Sequence, residues 1–134
     1  FAYYDKALEN NPQNYGALNN YSYYLALLGK NLDKAERMSG EVIKANPDNA
    51  TYLDTYAWVY FKQGRYSLAR LYLKKALDLS KEASAEMYEH YGDVLAVTGN
   101  ESEAVGWWKK AVDAGGDSEI LHRKIAEKRY IGNE

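Results

Sequence analysis

His90 follows Glu86 by four residues, sits beside Glu89 and precedes Asp93 by three. On a helix, positions three or four apart share a face, so an imidazole would lie among carboxylates. That pattern raises two chemistries, metal ligation and acid–base catalysis. A zinc site draws three or four ligands from His, Cys and carboxylates. The only other histidine is His122, and there is no cysteine. Nothing near these residues supplies a nucleophile. The stretch Gly115-Gly116-Asp117-Ser118 is too short and featureless to cradle phosphate. It reads as a turn in which Asp117 or Ser118 caps a final helix. The segment LHRKIAEKR, Leu121 to Arg129, is basic and helical, but it contains Glu127 and follows Glu119, so a solvated end helix is the better reading. No catalytic, cofactor-binding or metal residue is assigned, and the chain reads as a non-enzyme.

Composition agrees. The 134 residues are 46% hydrophobic and 27% charged, the balance of one folded domain. A net charge of −2 gives no general pull toward nucleic acid or anionic membrane. Without cysteine there are no disulfides and no thiolate chemistry. No apolar run approaches the roughly 20 residues of a membrane span. The chain does not begin with Met and opens inside what reads as a helix, so we expect a fragment of a longer protein. The compartment stays open between the cytoplasm and, if an export signal lies upstream, the periplasm or outer membrane.

What the sequence does carry is a ladder. Gly29, Gly64 and Gly99 are spaced 35 and 35, as are Tyr21, Tyr56 and Tyr91, and Leu18, Leu53 and Tyr88. Ser22, Ala57, Gly92 and Ala126 run 35, 35 and 34; Ala35, Ala69 and Ala104 run 34 and 35. Val42, Ala76 and Ala111 repeat the last pattern, and Pro12 and Pro47 are 35 apart. No catalytic constellation needs such regularity, whereas a stack of similar structural units does.

Each unit reads as two helices. Leu68, Leu71, Leu73, Ala76 and Leu77 recur at helical, not strand, steps. The glycines close the first helix of each unit, and the prolines fall past the second helices, where the chain cannot continue helically. Asn100-Glu101-Ser102-Glu103 predicts a capping box, with Asn100 as N-cap and Glu103 reaching back. The connections are short enough to force antiparallel hairpins.

These residues resemble the tetratricopeptide repeat family. The middle unit carries Leu53, Tyr56, Ala57, Tyr60 and Gly64, then Ala69, Leu73 and Ala76. The third carries Tyr88, Tyr91, Gly92, Leu95 and Gly99, then Ala104, Trp108 and Ala111. The first carries Leu18, Tyr21, Ser22, Leu25 and Gly29, then Ala35 and Val42. The resemblance covers essentially the whole chain. It implies an all-α, right-handed α-solenoid (superhelix) of antiparallel helix hairpins, with about three repeats and flanking half-repeats. The expected boundaries are 1–14 for the second helix of a preceding repeat, 15–49, 50–84 and 85–118 for three repeats, and 119–134 for a C-terminal helix. The family's usual period is 34, so the extra residues are placed in the Gly29–Leu32 turn and near Lys81–Ser84. Ser39 stands where the family usually has a ring, which predicts looser packing there.

In this family the first helices line a concave groove that binds a peptide or protein segment. Removing the ladder positions leaves Asn19, Asn20, Tyr23 and Leu27 in the first unit. The second leaves Asp54, Thr55, Trp58, Phe61 and Lys62, and the third Glu86, Glu89, His90, Asp93 and Val97. The last helix would add Arg123, Lys124, Glu127 and Tyr130. Tyr23 and Trp58 occupy equivalent positions and would form an aromatic floor, with acid beyond it, so the ligand would have an apolar anchor and a basic end. The plainer alternative is a solvated face with partly buried rings. One subclass of the family clamps C-terminal carboxylates with Lys, Asn and Arg, but Glu86 at an equivalent site would repel a carboxylate. Trp107 and Tyr72 offer a second, outer contact surface or pack on a neighbouring unit.

The resemblance therefore implies a scaffold or adaptor that holds a protein or peptide. No cofactor, nucleic acid or membrane span is expected. One alternative is the non-catalytic arm of a larger enzyme or regulatory protein. Another is self-association through the solenoid ends, which leaves monomer and end-to-end dimer open. The style of the repeats resembles that of long bacterial members of the family.

Overall fold

The computed structural model describes residues 1–132. Among them are eight helices and no strand. They are α1 (Ala2–Asn10), α2 (Tyr15–Leu28), α3 (Leu32–Ala45), α4 (Ala50–Lys62), α5 (Tyr66–Leu79), α6 (Ala85–Val97), α7 (Glu101–Asp113) and α8 (Glu119–Glu127). The chain divides into two compact units, Phe1–Leu79 and Ser80–Glu134.

In the first unit, α2 pairs with α3 and α4 with α5, while α4 also packs on α2 and α3. The core is built from the small and branched ladder residues. Leu18, Leu25, Ala35, Val42, Leu53, Ala57, Ala69, Leu73 and Ala76 are all buried. Alanines at the crossings let the helix axes approach to about 8–10 Å, and the leucines fill the space left between them. In the second unit α7 packs on α6 and α8 packs on α7. Leu95, Ala104, Trp108, Ala111 and Leu121 form its core.

Gly64 ends the aromatic run YAWVYF for a geometric reason. Its φ is +79°, a conformation that costs any residue with a Cβ about 1–2 kcal/mol. In that conformation its N–H reaches Phe61 O (2.9 Å) and the Arg65 N–H reaches Tyr60 O (2.9 Å). This double closure satisfies carbonyls that a helix end leaves open. The Arg65 side chain then folds back to Glu36 on α3 (3.0 Å), which also accepts from Gln63 (3.0 Å). Gly29, Gly99 and Gly115 close α2, α6 and α7 in the same way.

The extra residues lie where the spacing placed them. Two residues follow Gly29 before α3 begins, against one after Gly64 and one after Gly99. Asn31 takes up the surplus with φ +47°, tolerable because Asn enters the left-handed region more readily than most side chains. The α5–α6 link has five residues and the α3–α4 link four.

The N-termini hold one correction. Asn100 makes no side-chain cap; its amide turns back toward Thr98 Oγ1 at 3.5 Å, so the capping box does not form. The side-chain caps lie on the other helices of the ladder. Asn14, Asn49, Ser84 and Ser118 each accept the N–H three residues on, from Ala17, Tyr52, Met87 and Leu121. Those four caps are spaced 35, 35 and 34, a register the glycine and tyrosine ladders overshadow.

Candidate interaction surface

The first unit brings the predicted faces of α2 and α4 side by side. On α2, Asn20 and Leu27 are exposed, Tyr23 is half-buried and Asn19 is buried. On α4, Asp54, Thr55, Trp58 and Phe61 are all buried, and Lys62 is half-buried. Trp58 and Phe61, read from sequence as groove-lining rings, stack face to face with centroids 4.3 Å apart and planes within 7°. Phe61 also meets Tyr66 at 5.3 Å. Their helical spacing is the same for a groove lining as for a packed pair, and the structure shows the packed pair. Asn19 donates to Asn20 Oδ1 at 3.4 Å, while its own Oδ1 is buried with no hydrogen-bond partner among the described residues. A buried acceptor left unpaired costs about 1–3 kcal/mol.

The ladder rings divide differently. Tyr60 is buried and Tyr56 half-buried; their hydroxyls lie 2.8 Å apart. Burial and that hydrogen bond push the Tyr56 hydroxyl well above its ordinary value. Tyr72 closes on Tyr56 (4.9 Å) and Tyr60 (5.8 Å). In the second unit Trp107 meets Tyr91 edge-on at 4.8 Å and carries Lys110 over its ring at 4.4 Å. Tyr72 and Trp107 thus both pack within their own hairpins.

In the second unit part of the predicted acidic face is paired within the chain itself. Lys124 on α8 is 3% exposed. Its Nζ lies 2.6 Å from Glu89 Oε2 and 2.9 Å from Asp93 Oδ1. Asp93 Oδ1 also accepts from Trp108 Nε1 at 3.0 Å, and Trp108 is fully buried. Burial pushes the Asp93 carboxyl up to about 6, against the opposing pull of Lys124. Glu86 remains exposed, with Oε1 4.0 Å from Nε2 of the buried His90. Of the other α8 residues, Arg123 and Glu127 pair with each other at 2.8 Å. Tyr130 is half-buried, its ring 5.3 Å from Lys124 Nζ.

Sequence reasoning grouped Glu89, His90 and Asp93 correctly on one helix but did not foresee Lys124 between two of them. The available signal was the pair Leu121 and Lys124, three apart on one helical face. A lysine there points inward with the leucine, opposite a helix that offers two carboxylates.

Short glycine-closed hairpins with alanine at their crossings, set in a 34–35-residue register, define a helical-repeat protein. Two family models, both described as tetratricopeptide repeat, match the chain, one at residues 29–84 and 55–119 and the other at 3–37, and the chain belongs to that family. A TPR repeat-containing protein of Methanocaldococcus jannaschii is 32% identical over 128 residues, covering 96% of this chain but 22% of its own length. The chain thus spans about a fifth of that relative. A tetratricopeptide repeat protein from Parabacteroides merdae superposes with a TM-score of 0.82 at 24% identity, covering 93% of this chain and 48% of that one. YrrB, described as a TPR protein with an unusual peptide-binding site, superposes with a TM-score of 0.73 at 18% identity, covering 93% and 63%. These likenesses show the all-α fold of tetratricopeptide solenoids.

Proposed function

We propose that the chain is a protein–protein interaction scaffold that holds a peptide or protein segment against its first helices. In the first unit the contact face is Asn19, Asn20, Tyr23 and Leu27, bordered by Lys62. The observation that carries the reading is Asn19 Oδ1, a buried acceptor without a partner among the described residues. It sits beside the exposed Asn20 and half-buried Tyr23, where a ligand backbone N–H would satisfy it. Peptide binding by YrrB, a protein of the same fold, supports this class of function. Asp54, Thr55, Trp58 and Phe61 form the floor beneath that face, and Glu86 and His90 are candidates on α6 of the second unit, taken by itself.

The test is selection of binders from a displayed peptide library, followed by affinity measurements with Asn19→Ala and Tyr23→Ser. Trp58 is a poor probe, because removing a buried ring costs about 3–5 kcal/mol and confounds binding with folding. A loss of tenfold or more in both variants, with helical content unchanged, supports the reading. Equal binding by all three proteins rejects this face.

A second reading has its own observation. Phe1 (48% exposed), Tyr3 (78%), Tyr24 (45%) and Leu28 (56%) are exposed rings and apolar side chains on or beside α1 and α2, which favours self-association through that face. Sedimentation at two concentrations tests it, and an unchanged monomer mass would reject it.

A further inference from the structure

We propose that Glu89, Asp93 and Trp108 form a receptor site for a lysine ammonium presented on a helix, a site this chain fills with its own Lys124. The inference rests on the interaction-scaffold reading only for the class of ligand; the site itself lies on α6 and α7, beneath α8.

The geometry suits an ammonium. Glu89 Oε2 at 2.6 Å and Asp93 Oδ1 at 2.9 Å converge on one nitrogen. A compact three-donor group meets two carboxylates in this way, whereas a guanidinium fork spreads its donors across a plane. The acceptor is pre-set without α8. Asp93 is held by the Trp108 N–H at 3.0 Å, and Trp108 is locked in the α6–α7 core.

The occupant docks through a small footprint centred on Lys124. α8 has nine residues and only two of them, Leu121 and Lys124, are buried. Helices this short are not stable alone, so α8 forms where it docks. It ends at Lys128 in the left-handed region, φ +56°, without the glycine such an end favours. Gly115, with φ +106°, lies in the link that precedes it. A segment with few buried contacts opens at low free energy. When α8 swings out, the carboxylates face a second helix that carries an apolar residue three positions before a lysine, as Leu121 precedes Lys124. The raised Asp93 carboxyl lets the vacated site take up a proton and so avoid a buried charge without a counterion.

The test uses the full chain and a synthetic peptide with the sequence of residues 117–130. A second peptide carries Gln at the position of Lys124. Against the Lys124→Gln chain, the lysine peptide is expected to bind at least tenfold more tightly than the glutamine peptide. Against the wild-type chain, saturating lysine peptide is expected to speed amide exchange across α8 several-fold, as the resident helix is displaced. Equal binding of the two peptides, or no binding, overturns the proposal, as does unchanged α8 exchange. Should the variant fail to fold by circular dichroism, the wild-type exchange experiment decides alone. Neither readout involves the α2 face, so this inference and the proposed groove fail independently.

Discussion

Trp108 Nε1 donates to Asp93 Oδ1 at 3.0 Å across the α6–α7 crossing, and this buried bond requires the residue beside Asp93 to be glycine. A Cβ on Gly92 would lie 2.6 Å from Trp108 Cδ1 and Nε1 and 3.1 Å from Ala104 O. The ladder position that holds Ser22 and Ala57 elsewhere is reduced to hydrogen here because an indole occupies the opposite helix.

Gly92→Ala follows directly. Helix propensity alone would favour alanine by about 1 kcal/mol, but the ring that must move is fully buried. Overpacking of this kind costs about 1–3 kcal/mol, so the variant is expected to be less stable. Urea unfolding followed by tryptophan fluorescence, in a Trp58→Phe background that isolates the second unit, measures it. A gain in stability would mean the indole yields easily.

Asp93 sets a pH dependence of definite sign. Its carboxyl sits at about 6 in the fold against an ordinary 3.8, so between those values the folded chain holds the proton more tightly than the unfolded one. The stabilisation from this group is fully present below about 3.8 and is lost as pH rises through 6. The groups that face it are Glu89 and His90 on α6, Lys124 on α8 and the Trp108 N–H on α7. The full effect, from above pH 6 to below 3.8, is on the order of 2–3 kcal/mol, of which roughly half falls between pH 7 and pH 5. Wild type should gain stability relative to Asp93→Asn when unfolding is compared at pH 7 and pH 5. A wild-type advantage that shrinks toward pH 5 would contradict this.

Ser39 is fully buried and its Oγ has no hydrogen-bond partner among the described residues. Ser39→Ala removes an unsatisfied hydroxyl at almost no cost in volume. Thermal unfolding should show a gain of up to about 1 kcal/mol.

Lys128 ends α8 with φ +56°. Lys128→Gly relieves the left-handed strain and is expected to strengthen α8 by about 0.5–1 kcal/mol, after the greater freedom of glycine in the unfolded chain is subtracted. Slower amide exchange in residues 119–127 is the readout, and faster exchange there would reject the assignment.

The hairpins were legible because the same spacing recurs: Gly29, Gly64 and Gly99 each mark a helix end, and repetition makes a weak local signal strong. The fate of the remaining face was less legible. Trp58 and Phe61 lie three apart, which suits an open groove and a stacked buried pair equally, and only the surrounding helices distinguish the two. Lys124 was hidden by its charge, since a lysine is read as solvated unless carboxylates more than thirty residues away are known to meet it. Asn100 makes no cap, and its side-chain N–H is instead turned toward Thr98 Oγ1. The caps that do form depend on the N–H of the third residue after them, so composition alone did not separate Asn14 and Asn49 from Asn100.

The residue absorbed at Asn31 has an engineering consequence. An insertion between two helices of a hairpin normally rotates every later side chain about the helix axis. Here one added residue goes into a left-handed turn, and α3 still buries Ala35, Met38 and Val42, so the turn uncouples the phase of α3 from that of α2. It is a natural splice point, and a short epitope or fluorophore-bearing loop grafted between Lys30 and Asn31 should leave both helices in register.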